Sequence, residues 1–211
     1  MNGSLLKNSA YNVLYNILNI IFPLLASTYV ARIIQADGVG KVAYAQNIVA
    51  YFVTIAMLGI PNYGVREIAK NKADHKEVNS IFCELIIINT ISTTICIVLY
   101  NMFIWLLNWG DNRALMYVVG IELIFNYINV DWFYQGKEDF RYIAQRSLVV
   151  KIISLVAIYI FVKNKEDIVI YAIIYALAIG INNVVNIINL RKYNIKFSLK
   201  NIAVRRHIKS I

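Results

Sequence analysis

The chain is predicted to be an all-α polytopic membrane protein, and three features of its 211 residues carry that prediction. Hydrophobic residues make up 59% and charged residues only 16%, against roughly 25% charged in an ordinary soluble domain. Long runs without a single charge recur along the chain. About 20 apolar residues in a helix cross a ~30 Å hydrocarbon core, and these runs are long enough to do so. Lys and Arg alternate between rich and poor connections, as they do when successive loops lie on opposite sides of a membrane. With 2 Pro, 9 Gly and a mean hydropathy of +0.58, collagen-like, low-complexity and disordered chains are excluded.

Six spans are expected, at about residues 9–33, 42–62, 81–107, 114–134, 147–163 and 168–190, forming one lobe over 1–190. The first is marked by Asn8–Ala31, which carries no charge. It is longer than the about 7–15 apolar residues of a cleavable signal and is expected to be retained as a helix. The uncharged run Val42–Val65 marks the second span, and Leu85–Gly110 marks the third. Single charges interrupt the next two, Glu122 in the fourth and Lys151 in the fifth. Ile168–Leu190, again uncharged, is the sixth, and a basic tail or linker follows over 191–211.

Fifteen Lys and Arg fall at the N-terminus, in the second and fourth connections and in the tail, whereas five fall on the opposite side. The positive-inside rule then places both termini in the cytoplasm, as an even number of spans requires. The net charge of +9 is explained by topology, and no basic patch points to nucleic acid. Cys83 and Cys96 have neither redox nor metal-ligand spacing and read as small core hydrophobes. His75 and His207 both fall in charged segments and read as loop residues.

Polar residues within the spans fall on shared helical faces: Asn8, Asn12, Asn16 and Asn19 with Pro23 in the first, and Glu122, Asn126 and Asn129 in the fourth. Ser147, Lys151 and Ser154 do so in the fifth, and Asn182, Asn186 and Asn189 in the sixth. Two readings stand for these stripes. Either they line a hydrophilic cavity, or Asn, which occurs 22 times, joins helices by hydrogen bonds. A charge at the centre of a span costs about 2.5–3.5 kcal/mol or more, which singles out Glu122 and Lys151. Either they pair with one another, or each has its own role, Lys151 toward an anion and Glu122 toward a proton or cation. Arg32 ends the first span and either snorkels to head groups or joins that anion site. Trp105, Trp109, Trp132, Phe133 and Tyr134 fall at span ends, where an interfacial aromatic belt is expected.

Particular strings carry a family resemblance. Phe22-Pro23, followed by Ala31-Arg32-Ile33-Ile34-Gln35-Ala36-Asp37-Gly38-Val39-Gly40 and Tyr44-Ala45-Gln46, resembles the first two helices of the Wzx-type lipid-linked oligosaccharide flippases. Leu58-Gly59-Ile60-Pro61-Asn62-Tyr63-Gly64-Val65-Arg66-Glu67-Ile68-Ala69 is similar to their first cytoplasmic connection. Asp131-Trp132-Phe133-Tyr134-Gln135-Gly136-Lys137-Glu138-Asp139-Phe140 is similar to the segment after their fourth helix. The superfamily also holds multidrug antiporters and lipid II flippases. Gly38 and Gly40 are expected to supply the turn between the first two helices. At Ile34-Gln35-Ala36 the family usually has a Leu-Gly-Pro run, so the chain departs from the pattern there.

The resemblance implies one lobe of a two-lobe transporter that flips undecaprenyl-diphosphate-linked sugar repeats by alternating access. The chain is then a fragment, a truncated product or a half-protein, paired with a second six-helix lobe or another copy. Lys151 or Arg32 would hold the diphosphate, Asn12, Asn16 and Asn19 would solvate sugars, and Glu122 would couple a proton or sodium ion. Arg66, Glu67, Asp131 and Glu138 are gate or loop candidates. The lipid-linked oligosaccharide, membrane lipids and other polysaccharide-assembly proteins are the expected partners, with no cofactor or metal. Other readings are a multidrug antiporter, which Lys151 disfavours, and an inactive lobe. A membrane enzyme lacks the His or paired-carboxylate constellation it would need.

Overall fold

The computed structural model describes residues 2–197 and 203–208, and among these the chain is helical with no strand. Two long helices, α1 (Asn2–Ile33) and α2 (Gln35–Met57), lead into a short amphipathic one, α3 (Ile60–Lys70). Then follow α4 (His75–Leu106), α5 (Arg113–Phe125) and the short α6 (Asp131–Gly136). The helices α7 (Phe140–Phe161) and α8 (Ile168–Asn189) complete the bundle, and a single turn, α9 (Arg205–Ile208), lies beyond. Four stretches are long and apolar enough to cross a membrane: Ile20–Met57, His75–Leu106, Phe140–Phe161 and Ile168–Tyr193. The first of them runs through parts of α1 and α2.

Within the bundle α1 packs on α7, α7 on α8, α8 on α5, and α2 on both α4 and α5. The connections 71–74 and 137–139 and the segment after α8 gather at one end. There Lys72 bonds Glu138 at 2.9 Å and Lys192 bonds Asp139 at 3.1 Å. This basic end also holds α3 and α6. The other end holds the α1–α2, α4–α5 and α7–α8 connections, where Tyr29 donates to the Val162 carbonyl at 3.0 Å.

Local chemistry sets the breaks. The α1–α2 turn falls at Gln35, with φ +60°, so it precedes Gly38 and Gly40, which lie inside α2. Gly38 instead makes room for α8: a β-carbon there would stand 3.2 Å from Ile168. Leu58 and Gly59, with φ +48° and +80°, end α2 and start α3. The fourth expected span, over 114–134, is divided: α5 stops at Phe125, a 3-10 turn covers Asn126–Ile128, and α6 follows. Helix ends leave carbonyls without intrahelical partners, which a bilayer interior cannot satisfy. Side chains do so here. Asn183 donates to the Phe125 carbonyl at 3.0 Å and Asn89 to the Asn126 carbonyl at 2.7 Å.

The aromatic belt is corrected in part. Trp105 is 74% exposed, but Trp132 is 3% exposed and Phe133 and Tyr134 are fully buried. They stand on α6, which packs against α3 and α4 instead of ending a span at a lipid interface. Trp132 lies 5.7 Å from the Phe82 ring and Phe133 5.3 Å from Tyr193.

Candidate functional site

A cavity of about 520 Å³ opens between α1, α2, α7 and α8. Its wall is mostly apolar, from residues such as Phe22, Pro23, Ile158 and Ile174, and its polar groups are few. Pro23 falls inside α1, where it removes one backbone hydrogen bond and its ring crowds the preceding turn. Lys151 reaches the cavity from the middle of α7, half-buried, with its Nζ 5.9 Å from the centre of the Phe22 ring. That is within the range over which a ring face attracts a cation. Ser154 donates to the Lys151 carbonyl at 2.9 Å, so its hydroxyl is tied to its own helix.

Gln46 from α2, Asn182 from α8 and the hydroxyl residues Ser27, Tyr171 and Tyr175 add to the polar lining. Asn182 donates to the Ala178 carbonyl at 2.9 Å, which leaves its carbonyl oxygen buried and unpartnered. Gln46 likewise has a buried amide nitrogen without a partner. A buried polar atom left unpaired costs about 1–3 kcal/mol. A cation, an amide donor and an amide acceptor thus line one apolar-walled space. It suits a ligand that combines negative charge with hydrogen-bonding groups.

The expected site residues separate. Among those whose side chains are described, Lys151 is the one that lines this cavity. Arg32 is exposed in the last turn of α1, and Asn16 is exposed as well. The side chains of Asn12 and Asn19 lie outside the described residues. Glu122 is half-buried on α5, away from the cavity lining, and no ion pair joins it to Lys151 among the described residues. Arg66 meets Glu67 at 3.4 Å and lies over the Tyr63 ring, and exposed Glu138 pairs with Lys72.

Asp131 has the most structured surroundings of the four gate candidates. Arg146 of α7, only 7% exposed, donates to its Oδ1 at 2.8 Å and also bonds the Asn186 side chain of α8. Asn186 in turn donates to the same Asp131 oxygen at 2.5 Å. Tyr134 donates to the Asn186 carbonyl at 2.5 Å and Tyr142 to the Val185 carbonyl at 3.2 Å. This network joins α6, α7 and α8 at the basic end. Arg146 was legible in the sequence only as one of several loop cations, although it lies one helical turn before the Val150–Lys151 pair.

The stripes accordingly mix both expected roles. Of the sixth-span set, Asn182 faces the cavity and Asn186 the ionic network. Asn126 of the fourth-span set donates to Thr93 at 2.9 Å between helices. His207 is corrected outright: it is 2% exposed and bonds Glu84, so it is no solvated loop residue.

The family described as polysaccharide biosynthesis protein matches over residues 5–210. A curated protein of Shigella dysenteriae named "Putative O-antigen transporter" is 27% identical over 193 residues, 88% of this chain and 48% of its own. One of the same name from Escherichia coli strain K12 is 26% identical over 176 residues, 83% of this chain and 42% of its own. The chain therefore spans about half the length of these relatives. No solved structure matches it.

Proposed function

Because the chain belongs to the polysaccharide biosynthesis protein family, we propose that it forms one lobe of a transporter of lipid-linked polysaccharide repeat units. The cargo is an undecaprenyl-diphosphate-linked oligosaccharide, carried across the bacterial cytoplasmic membrane by alternating access with a second six-helix lobe. The basic end faces the cytoplasm, with both termini of this chain on that side. The observation that carries the reading is the cavity between α1, α2, α7 and α8, with Lys151 on its wall. The diphosphate meets Lys151, the sugars meet Gln46 and Asn182, and the lipid tail stays in the bilayer. No covalent bond is made or broken, so the residues need only bind, orient and release.

Complementation tests this. The chain is expressed in a cell lacking its own flippase, with and without a second six-helix half, and surface polysaccharide is assayed. Polymer is expected when both halves are present, and Lys151→Ala abolishes it while Lys151→Arg retains most of it. Absence of polymer in every combination overturns the proposal.

A further inference from the structure

The segment beyond residue 202 folds back onto the bundle, and it does so on a buried carboxylate. Glu84 of α4 is 1% exposed. One of its oxygens accepts from the Ala203 amide at 3.0 Å and from Ser80 of α4 at 3.1 Å. The other accepts from Arg206 Nε at 2.8 Å and from His207 Nε2 at 2.5 Å. An ionised carboxylate only accepts, so His207 Nε2 carries a proton. Tyr63 of α3 closes the chain, its Oη 2.6 Å from His207 Nδ1 and its ring edge-on to the imidazole. Arg206 also pairs with Glu77 at 2.6 Å.

Three of the four groups that satisfy Glu84 thus come from the short segment 203–207, outside the bundle. Nothing in helix formation requires this. Glu84 lies in a helix whose neighbours Ile81, Phe82, Cys83 and Leu85 are buried, a place where an acid is otherwise costly. Upstream, the Asn79 side chain exchanges hydrogen bonds with the Lys196 backbone at 2.7 and 2.8 Å, so the returning chain is fixed to α4 at two points.

We propose that the groove between α3 and α4 at the basic end is a docking site for the chain's own segment 203–207, and that Glu84 is the latch that holds it. Leaving the groove separates Glu84 from all but Ser80, so the segment departs as a unit instead of fraying. While latched, it ties the polypeptide beyond it to α4 and α3 as one body. When released, it frees that polypeptide to move separately. What the latch restrains rests on the transport reading, in which this segment leads toward the second lobe; the docking of the segment on Glu84 is tested apart from it.

The test follows docking and not transport. The full chain carrying Val204→Cys, in a background with Cys83 and Cys96 replaced by Ala, is purified in nanodiscs and labelled with a maleimide. Val204 is partly buried against the core cluster that includes Tyr63. Its cysteine should react at least about tenfold more slowly than one at exposed Ala73, and Glu84→Gln should raise the rate by about tenfold. Glu166→Gln, which alters an exposed acid in the connection between α7 and α8, should not. Arg206→Ala, which spares α4, gives the same acceleration and decides the matter should the Glu84 variant fail to fold. Equal rates at 204 and 73, or rates unmoved by both Glu84→Gln and Arg206→Ala, overturn the latch.

Discussion

The Trp132 indole lies against the α-carbon of Gly64, so closely that a β-carbon on Gly64 would stand 2.6 Å from the ring. Gly136 stands in the same relation to Ile68, with the corresponding distance 2.7 Å. The two glycines belong to the two strings that follow the second and fourth spans, and together they let α3 and α6 meet face to face. What reads in the sequence as two separate motifs is one interface.

Substituting either glycine should part those helices. Gly64→Ala and Gly136→Ala are each expected to cost about 1–3 kcal/mol, the usual penalty for overpacking. Thermal unfolding of the detergent-purified protein reads this. Because both act on one interface, the double variant should lose less than the sum of the two.

Arg146 provides a sharper contrast. Asp131→Ala leaves a guanidinium whose side chain is 4% exposed facing no anion, and about 3–5 kcal/mol of stability should go with it. Replacing Arg146 and Asp131 together, by Met and Asn, should restore much of that loss. A double variant no more stable than Asp131→Ala would show that the pair is not the source of the effect.

Gln35 holds a left-handed backbone at φ +60°, a region that favours glycine. Left-handed geometry costs an L-residue about 1–2 kcal/mol. Gln35→Gly should therefore raise the unfolding temperature by a few degrees, and Gln35→Val should lower it, since a β-branched residue tolerates the region least.

Asp139 gives a pH signature. Burial pushes its carboxyl upward, but hydrogen bonds from Tyr193 and Lys192 outweigh that and hold it below the ordinary value of 3.8. A carboxylate depressed in the folded state contributes stability that is complete above its unfolded value and fades as pH falls through its folded one. The native chain should thus be more stable than Asp139→Asn at neutral pH, with the gap closing below 3.8. Denaturation followed from pH 7 to pH 3 measures it; a gap independent of pH over that range would refute the assignment.

The all-helical, apolar character was legible because long uncharged runs are what a bilayer demands, and four stretches of the fold are long and apolar enough to cross one. The faces were not. In a soluble helix the apolar stripe points inward, but lipid is as apolar as a protein core, so Ile95 and Ile104 of one helix look alike in sequence although one is 55% exposed and the other fully buried. The same ambiguity hid Trp132, which suits a lipid interface and an aromatic core equally well by composition. Lys151, which lines the cavity, stood out because a lone charge in an apolar run needs a reason. Arg146, Glu84 and His207 escaped because charges near span ends usually meet water, and only the third dimension shows which are enclosed.

The end of α5 draws its last hydrogen bonds from Asn89 and Asn183, side chains of two other helices. Beside the local bonds of the Asn126 amide, that end is in consequence held from outside its own segment. Amide exchange near Phe125 should report the parting of α4 and α8 and not the fraying of a terminus, which makes this interior break a gauge of the cooperativity of the entire bundle.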